Sequence, residues 1–403
     1  MNTPLTILCI ASYEKGHAFL RQCKASGARV FLLTSLSLKD KAQWPTDSID
    51  ELFYMPDEDH AWNREHTLHA VAHLCRNHII DRLVPLDDFD LELAAFLREH
   101  LRIPGMGETT TRYFRDKLAM RMKAQEKGLN IPEFVPIINH QRVNEYLDRV
   151  PGPWVLKPRM LAGAIGIKKV HTKQEAWDKI NSLGDQQSYY LLERFVPGDI
   201  FHVDSIVYEN KLVYAVASEY GKPPLDVSQS GDIFTTRLML RGSEREQAVR
   251  AKNAQVLPSL GLVRGVSHTE FIVANEDGKV YFLETSARVG GAHIADLIEA
   301  GTGINMWAEW AKVELAGGKA PYSPPEAKED YAGLLVSLAK QQWPDLSAYN
   351  DPEVVWRMNR EHHAGLIVKS PDFARITELL EQYRNRFRED FWAMLPARDK
   401  PTH

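Results

Sequence analysis

The stretch HTEFIVANEDGKVYFLETSARVGG, residues 268–291, carries the reading on which the fold turns. It reads as a β-hairpin in which Glu276, Asp277 and Gly278 form a three-residue loop and the glycine takes the left-handed conformation. If Asn275 pairs with Lys279, the register sets Glu270 opposite Glu284. Two carboxylates facing each other across a ladder repel, so the arrangement makes sense when a cation lies between them. Oxygen ligands of this kind suit Mg²⁺ held jointly with the phosphates of a substrate. Strand alternation adds Ser286 and Arg288 to the face of Glu284. A loop register different by one residue would send the two glutamates to opposite faces and leave two solvated side chains.

Upstream, WVLKPRMLAGAIGIKKV, residues 154–170, puts Lys157 at the end of one strand and a small-residue loop before the next. Gly163 and Gly166 remove side chains that would keep backbone N–H groups from an anion, so the loop can fold over phosphates as a lid. The alternative is a tight strand connection with an incidental lysine. A phosphate loop of the G-x-x-x-x-G-K-[ST] kind is excluded, because no GK[ST] occurs in the chain. Between lysine loop and acids, YYLLERFVPGD, residues 189–199, is an apolar strand reaching Glu193, whose end can present backbone groups beside apolar surface, as a purine requires.

Outward from these motifs, residues 5–104 alternate apolar runs (LTILCIA, ARVFLLT, RLVPLD) with helical stretches, the pattern of a parallel sheet with helical crossovers. The turn ASYEKG after the first run lacks G-x-G-x-x-G, which argues against a dinucleotide there. Asp87, Asp88 and Asp90 follow RLVPLD, where parallel sheets place ligand sites. In residues 103–134 a threonine cluster suits a helix cap and a basic helix stops at Gly128. From Trp154 onward strands dominate, with helices near 173–183, 243–259 and 293–316. KAPYSPPEAKED marks a boundary, after which Ile376, Leu379, Leu380, Tyr383, Phe387 and Phe391 recur at helical spacing, the pattern of a helix packed on the body.

At 403 residues, 44% hydrophobic and 26% charged, the chain has apolar material for two or three cores. A net charge of -5 gives no reason to expect nucleic acid or an anionic membrane surface. Three cysteines, an odd number without a CxxC pair, argue for a reducing compartment and against a cysteine zinc site. The start MNTPLTILCIASYEKG has no signal-peptide pattern, and a cytoplasmic location is expected.

Over roughly residues 110–310 the order of elements resembles the ATP-grasp ligases: Lys117 in RDKLAMR near the end of a helix, Lys157 before a glycine-rich lid, the hinge ERFV, and paired acids followed by R-x-G-G. ETSARVGGAHI is most similar to the carboxylate–amine ligases that join amino acids or small acids. The resemblance implies a multidomain chain of α/β and α+β parts, with a Rossmann-like pre-ATP-grasp domain (1–108), an ATP-grasp region (109–320) and a small C-terminal α+β domain (321–403). It further implies ATP with Mg²⁺, or Mn²⁺ as the alternative metal, and small carboxylate and amine substrates, in a chain without a nucleic acid or membrane partner and compatible with a homodimer. Lys117 and Lys157 would hold phosphates under the lid of Gly163 and Gly166, and Glu193, Phe195 and Val196 would meet the adenine. Glu270 and Glu284 would bind the metal, and Arg288 would steady an acyl phosphate. Two positions depart from the family: Ser286 stands where an asparagine often ligates the metal, and Ile200 where an acid often takes the ribose, with Asp199 one place early.

His202, His268 and His293 lie near these motifs as candidates for substrate contact or proton handling, with Gly291 beside them, although a lone histidine is more often structural. His69 and His73 read as a helix surface. Two rival readings remain: a carboxylase-type ATP-grasp enzyme activating bicarbonate, and an ATP-binding regulatory protein without turnover.

Overall fold

A computed structural model describes residues 4–57, 61–161 and 163–393. The N-terminal part contains β1 (Thr6–Ala11), α1 (His17–Ala25), β2 (Arg29–Ser35), β3 (Glu51–Met55), α2 (Arg64–Cys75), β4 (Arg82–Pro85) and α3 (Leu91–Leu101). Its strands form a parallel sheet ordered β3-β2-β1-β4. β1 and β2 are buried almost throughout, as apolar runs covered on both faces should be, whereas β3 is a half-buried edge. β3 (ELFYM) was not singled out in the sequence, being a short run that lies half-buried at the sheet edge.

Next come α4 (Glu108–Arg112) and α5 (Lys117–Glu126). The threonines fall inside α4 instead of capping a helix, and it is Asp116 that caps α5, accepting from Leu118 N–H at 3.0 Å. Lys117 therefore begins a helix, where the sequence reading had it near the end of one.

A small antiparallel sheet follows, made of β5 (Phe134–Pro136), β6 (Trp154–Pro158), β7 (Lys168–Val170) and β8 (Tyr190–Arg194) in the order β5-β8-β6-β7. The helices α6 (His140–Arg149) and α7 (Lys173–Ser182) close its core through Val143, Leu147, Ala176 and Ile180.

The large sheet is built from β9 (Gly198–Tyr208), β10 (Lys211–Tyr220), β11 (Phe234–Leu238), β12 (Gly265–Ala274), β13 (Val280–Ser286), β14 (Tyr331–Leu338), β15 (Val354–Arg357) and β16 (His363–Ser370). Its order is β13-β12-β9-β10-β11-β14-β16-β15. The helices of this region are α8 (Pro224–Ser230), α9 (Glu244–Leu260), α10 (Ile294–Thr302), α11 (Met306–Ala316) and α12 (Phe373–Asp390). β11 pairs with β14, so the sheet runs without a break across the proline-rich stretch, and the strands after residue 320 extend the sheet begun by β9. The apolar stripe of α12 is buried against them with Leu335, Leu366 and Val368, which is the packing its spacing predicts. No helix among the described residues is long and apolar enough to cross a membrane.

Two features lock the small sheet to the large one. The Arg121 side chain on α5 is almost fully buried. Its Nε donates to Glu193 Oε2 on β8 at 3.0 Å, and its Nη1 donates to the carbonyl of Leu283 on β13. Glu193 also pairs with Lys157 of β6. Burial would raise the Glu193 carboxyl's pKa, but Arg121 and Lys157 outweigh it and hold the pKa below the usual carboxylate range. The second feature is Gly198, where β9 leaves the hinge. A Cβ there would lie 2.1 Å from the carbonyl oxygen of Val273.

Two outcomes are expected. Glu193→Gln strands two cations in a dry junction and should cost about 3–5 kcal/mol, read as a lower denaturation midpoint in urea. Because the folded pKa of Glu193 is depressed, the wild-type contribution is present above the unfolded value near 4.5 and is lost as pH falls through the folded value; the variant should lack that part of the acid transition. Gly198→Ala should force β9 and β12 apart and cost about 1–3 kcal/mol; an unchanged thermal midpoint would contradict the close approach.

Candidate active site

The β12–β13 hairpin delivers both acids to one face by a route the sequence did not show. Ala274 N–H donates to the Lys279 carbonyl at 3.0 Å, so the loop is one residue longer than expected and Val273, not its neighbour Ala274, faces Val280. Phe271 faces Phe282 in the same register. Continued unbroken, this register would pair Glu270 with Leu283 and turn Glu284 to the far face. A bulge between Glu270 and Phe271 takes up one residue of β13 and restores the pairing of Glu270 with Glu284. The carbonyl at the bulge, that of Leu283, is the one held by Arg121.

These acids line a cavity of about 510 Å³ between the two sheets. Val155, Lys157 and Val196 form its small-sheet wall, Ile272, Leu283 and the two glutamates its large-sheet wall, and Asp88 and Phe89 close it from the N-terminal part. Each acid has a protein partner. Tyr220 donates its hydroxyl to Glu270 Oε1 at 2.8 Å, and His268 Nε2 lies 3.6 Å from the same oxygen. Burial opposes ionisation of Glu270, but His268 and Tyr220 prevail and lower its pKa. Glu284 meets Lys117 Nζ at 3.1 Å, and that ammonium also donates to the Leu161 carbonyl in the lid at 2.7 Å. The expected repulsion between the glutamates is thus relieved by side chains on both sides.

Asp88 gathers the remaining charges. It accepts from the Ser286 hydroxyl, pairs with Arg115 at 3.1 Å and lies 3.8 Å from Arg288 Nε. Burial would raise its pKa, but Arg115 and then Arg288 lower it. The Ser286 hydroxyl is therefore directed at Asp88, away from the glutamate pair it was expected to assist. In the lid, Gly163 (φ 68°) and Gly166 (φ 72°) take left-handed conformations, as does Ala164 (φ 60°); Ala162 lies outside the described residues. The lid's base is fixed by Arg159, which pairs with Asp116. Phe195 lines the cavity with Lys169 stacked over its ring at 3.6 Å.

Several candidates are placed differently from the expectation. The Glu193 carboxylate is occupied by Arg121 and Lys157, which removes it as a donor-reading group for a base. Asp199 points to the other face of β9 and pairs with Arg245 at 3.0 Å, because alternation sends Ile200 into the cavity in its place. His202 is fully buried between Asp204 (2.7 Å) and Thr236 (2.9 Å) and does not line the cavity. His293 starts α10, bonded to Asp296 at 2.8 Å beside Trp356, also outside the lining. Gly291 and His268 do line it. Burial disfavours a charged His268, but Asp204 at 2.9 Å and then Glu270 raise its pKa to about 9. His202, Asp204 and His268 bring donor atoms within 4.8 Å of one another, as a metal site would, yet hydrogen bonds within the protein engage all three. His69 and His73 are exposed on α2, as read. The sequence analysis missed Arg121 and Arg115; Arg121 had a signal, since it follows Lys117 at i, i+4 on one face of α5.

No protein-family model matches the chain. The L-arginine-specific L-amino acid ligase of Bacillus subtilis is 22% identical over 243 residues, 56% of each chain, so the match spans little more than half of that relative. Among solved structures, the L-amino acid ligase from Bacillus licheniformis superposes with a TM-score of 0.75 at 16% identity, covering 98% of this chain and 99% of that one. The carboxyaminoimidazole ribonucleotide synthase from Aspergillus clavatus, complexed with ATP, gives 0.73 at 12% identity over 96% and 99%. The two sheets, the cavity between them and these superpositions over nearly the whole length show that the chain has an ATP-grasp fold.

Proposed function

We propose that the protein is an ATP- and Mg²⁺-dependent ligase that joins the carboxylate of a small acid or amino acid to an amine through an acyl phosphate, releasing ADP and phosphate. The observation that carries this reading is the opposition of Glu270 and Glu284 on the cavity face, with Lys117, Lys157 and Arg288 around them. The chemistry of joining a carboxylate to an amine through a phosphoryl group requires alignment and charge neutralisation more than a protein nucleophile. This set of side chains supplies both.

The donor set fits a hard divalent ion, since it offers carboxylate oxygens on facing strands with neither proton nor hydrogen bond shared between them. Such an ion, when bound, neutralises phosphate charge and would be held by Glu270 and Glu284. Lys117 then has less need of Glu284 and can turn to phosphate oxygens, while its bond to the Leu161 carbonyl links that movement to the lid. Lys157, anchored by Glu193, presents a fixed positive charge at the cavity wall. Along the hinge the Phe195 amide is spent on the Pro153 carbonyl at 3.0 Å, so the edge offered to the adenine begins at Val196. Arg288 steadies the transferring phosphoryl group with a planar, permanently charged donor, and Asp88 orients it. The closed lid excludes water from an acyl phosphate that would otherwise hydrolyse.

The superposition on a carboxyaminoimidazole ribonucleotide synthase favours one alternative, bicarbonate as the activated acid. Phosphate release from ATP and Mg²⁺, measured over a matrix of amino acids and small acids, tests both readings. The ligase reading expects release that requires an acid and an amine together; release driven by bicarbonate alone would select the alternative.

Two variants probe the roles. Glu284→Gln should lower turnover by at least about a hundredfold and shift the Mg²⁺ requirement upward. Glu284 is partly exposed and the buried Lys117 keeps the Leu161 carbonyl as an acceptor, so the melting point should move little, and a large fall would mean a structural role. Arg288→Lys should keep ATP affinity within a few fold but reduce turnover by roughly a hundredfold, about 2.7 kcal/mol; calorimetric ATP titration beside phosphate release on one preparation separates this from general destabilisation.

A further inference from the structure

Behind the large sheet, on the face turned away from the candidate active site, lies a second cavity of about 250 Å³ between β10, β11 and α12. One face of α12 lines it with Thr377, Glu381 and Arg384 at i, i+4 and i+7, and the strands add Glu219 and Arg237. Glu219 and Arg237 pair at 3.1 Å, and Arg237 is further held by the Thr377 hydroxyl, so these two are fixed. Glu381 and Arg384 are not. They sit three residues apart on one helix, a spacing that allows an ion pair, yet neither makes one among the described residues. The Arg384 Nε is out of contact with solvent and has no hydrogen-bond partner. A guanidinium partly withdrawn from water without an acceptor is costly and binds a carboxylate well.

Three acids, Asp199, Glu219 and Glu381, and two arginines, Arg237 and Arg384, line this cavity, and because Asp199 is paired with Arg245 the other four charges face it in balance. A multiply charged anion would face Glu219 and Glu381, and a cation would face Arg237 and Arg384. The ligand that leaves no like charges opposed is one carrying both signs close together. We propose that this cavity is a binding site for a small α-amino acid zwitterion, its carboxylate on Arg384 and its ammonium on Glu381 and Glu219. The site is independent of the nucleotide reading, since the sheet separates it from the first cavity. It is joined to that cavity by Tyr220, which neighbours Glu219 on β10, borders both spaces and bonds Glu270.

The test titrates L-alanine into the full chain without nucleotide, with acetate and ethylammonium as single-charge controls. Binding of L-alanine is expected to weaken at least tenfold in Arg384→Gln and in Glu381→Gln and to persist in Arg288→Lys, with acetate and ethylammonium binding at least tenfold more weakly than L-alanine. Amide exchange should slow over residues 377–384 when L-alanine binds. Glu381 is exposed, so its variant carries the test even if Arg384→Gln does not fold. No binding of L-alanine, unchanged affinity in Glu381→Gln, or protection confined to residues 284–294 would overturn the assignment. Acetate binding as tightly as L-alanine would overturn it too, by revealing a simple anion site.

Discussion

Arg121 ties together three parts of the molecule, α5, the small sheet and the large sheet. Its guanidinium, buried on α5, holds the Glu193 carboxylate of the small sheet and the Leu283 carbonyl of the large one. A buried cation is tolerated only when its donors are satisfied, so the two acceptors are constrained to converge on it. The Glu193 carboxylate in turn fixes Lys157. This junction, with the Arg194–Glu276 ion pair at 2.7 Å, helps set the distance between the wall that carries Lys157 and the wall that carries the glutamates.

The same arginine stabilises the irregularity on which the acids depend. A bulge adds a residue to β13 and leaves a ladder group unpaired; the Leu283 carbonyl finds its partner in Arg121. Beyond the bulge Glu270 and Glu284 share a face, and each is neutralised by a different group, Tyr220 with His268 for one and Lys117 for the other. In the proposed reading these side chains would yield to a cation bound by the two acids. Asp88 performs a comparable task for Arg288, Arg115 and Ser286, bringing the loop after β4 to the rim of the cavity, at the carboxyl end of a parallel strand.

The sheet that passes through residue 320 also gives the last eighty or so residues a place in the site's mechanics. β14, β16 and β15 continue the same sheet, and α12 packs across them. The loop between β10 and β11, which borders the cavity at Pro223 and Leu225, is fastened to this region by Asp232 with Arg388 and by the Gly231 carbonyl with Trp392. The C-terminal part thus holds one wall of the cavity.

Much of this architecture was legible in the chain. Buried parallel strands, the helices near 173–183 and 243–259 and the stripe of α12 announce themselves through apolar periodicity, because their neighbours bury one face of each. Lys157, Glu270, Glu284 and Arg288 could be singled out as charged residues in or beside strands, and the structure brings all four to one cavity. Other features were not legible. β3 is a half-exposed edge, and the bulge at Leu283 leaves no local trace: the loop register assumed from Gly278 was off by one, and the pairing of the acids came from an irregularity that Arg121 helps stabilise. The carboxylate of Glu193, the orientation of Asp199 and the burial of His202 were decided by which groups α5, α9 and the neighbouring strands brought near them. The sequence determined which side chains were available and which face each strand could offer. Tertiary structure decided their partners, because an ion pair or hydrogen bond between residues 72 or 162 positions apart, as in the contacts of Arg121, depends on how separate sheets pack and has no counterpart in local pattern.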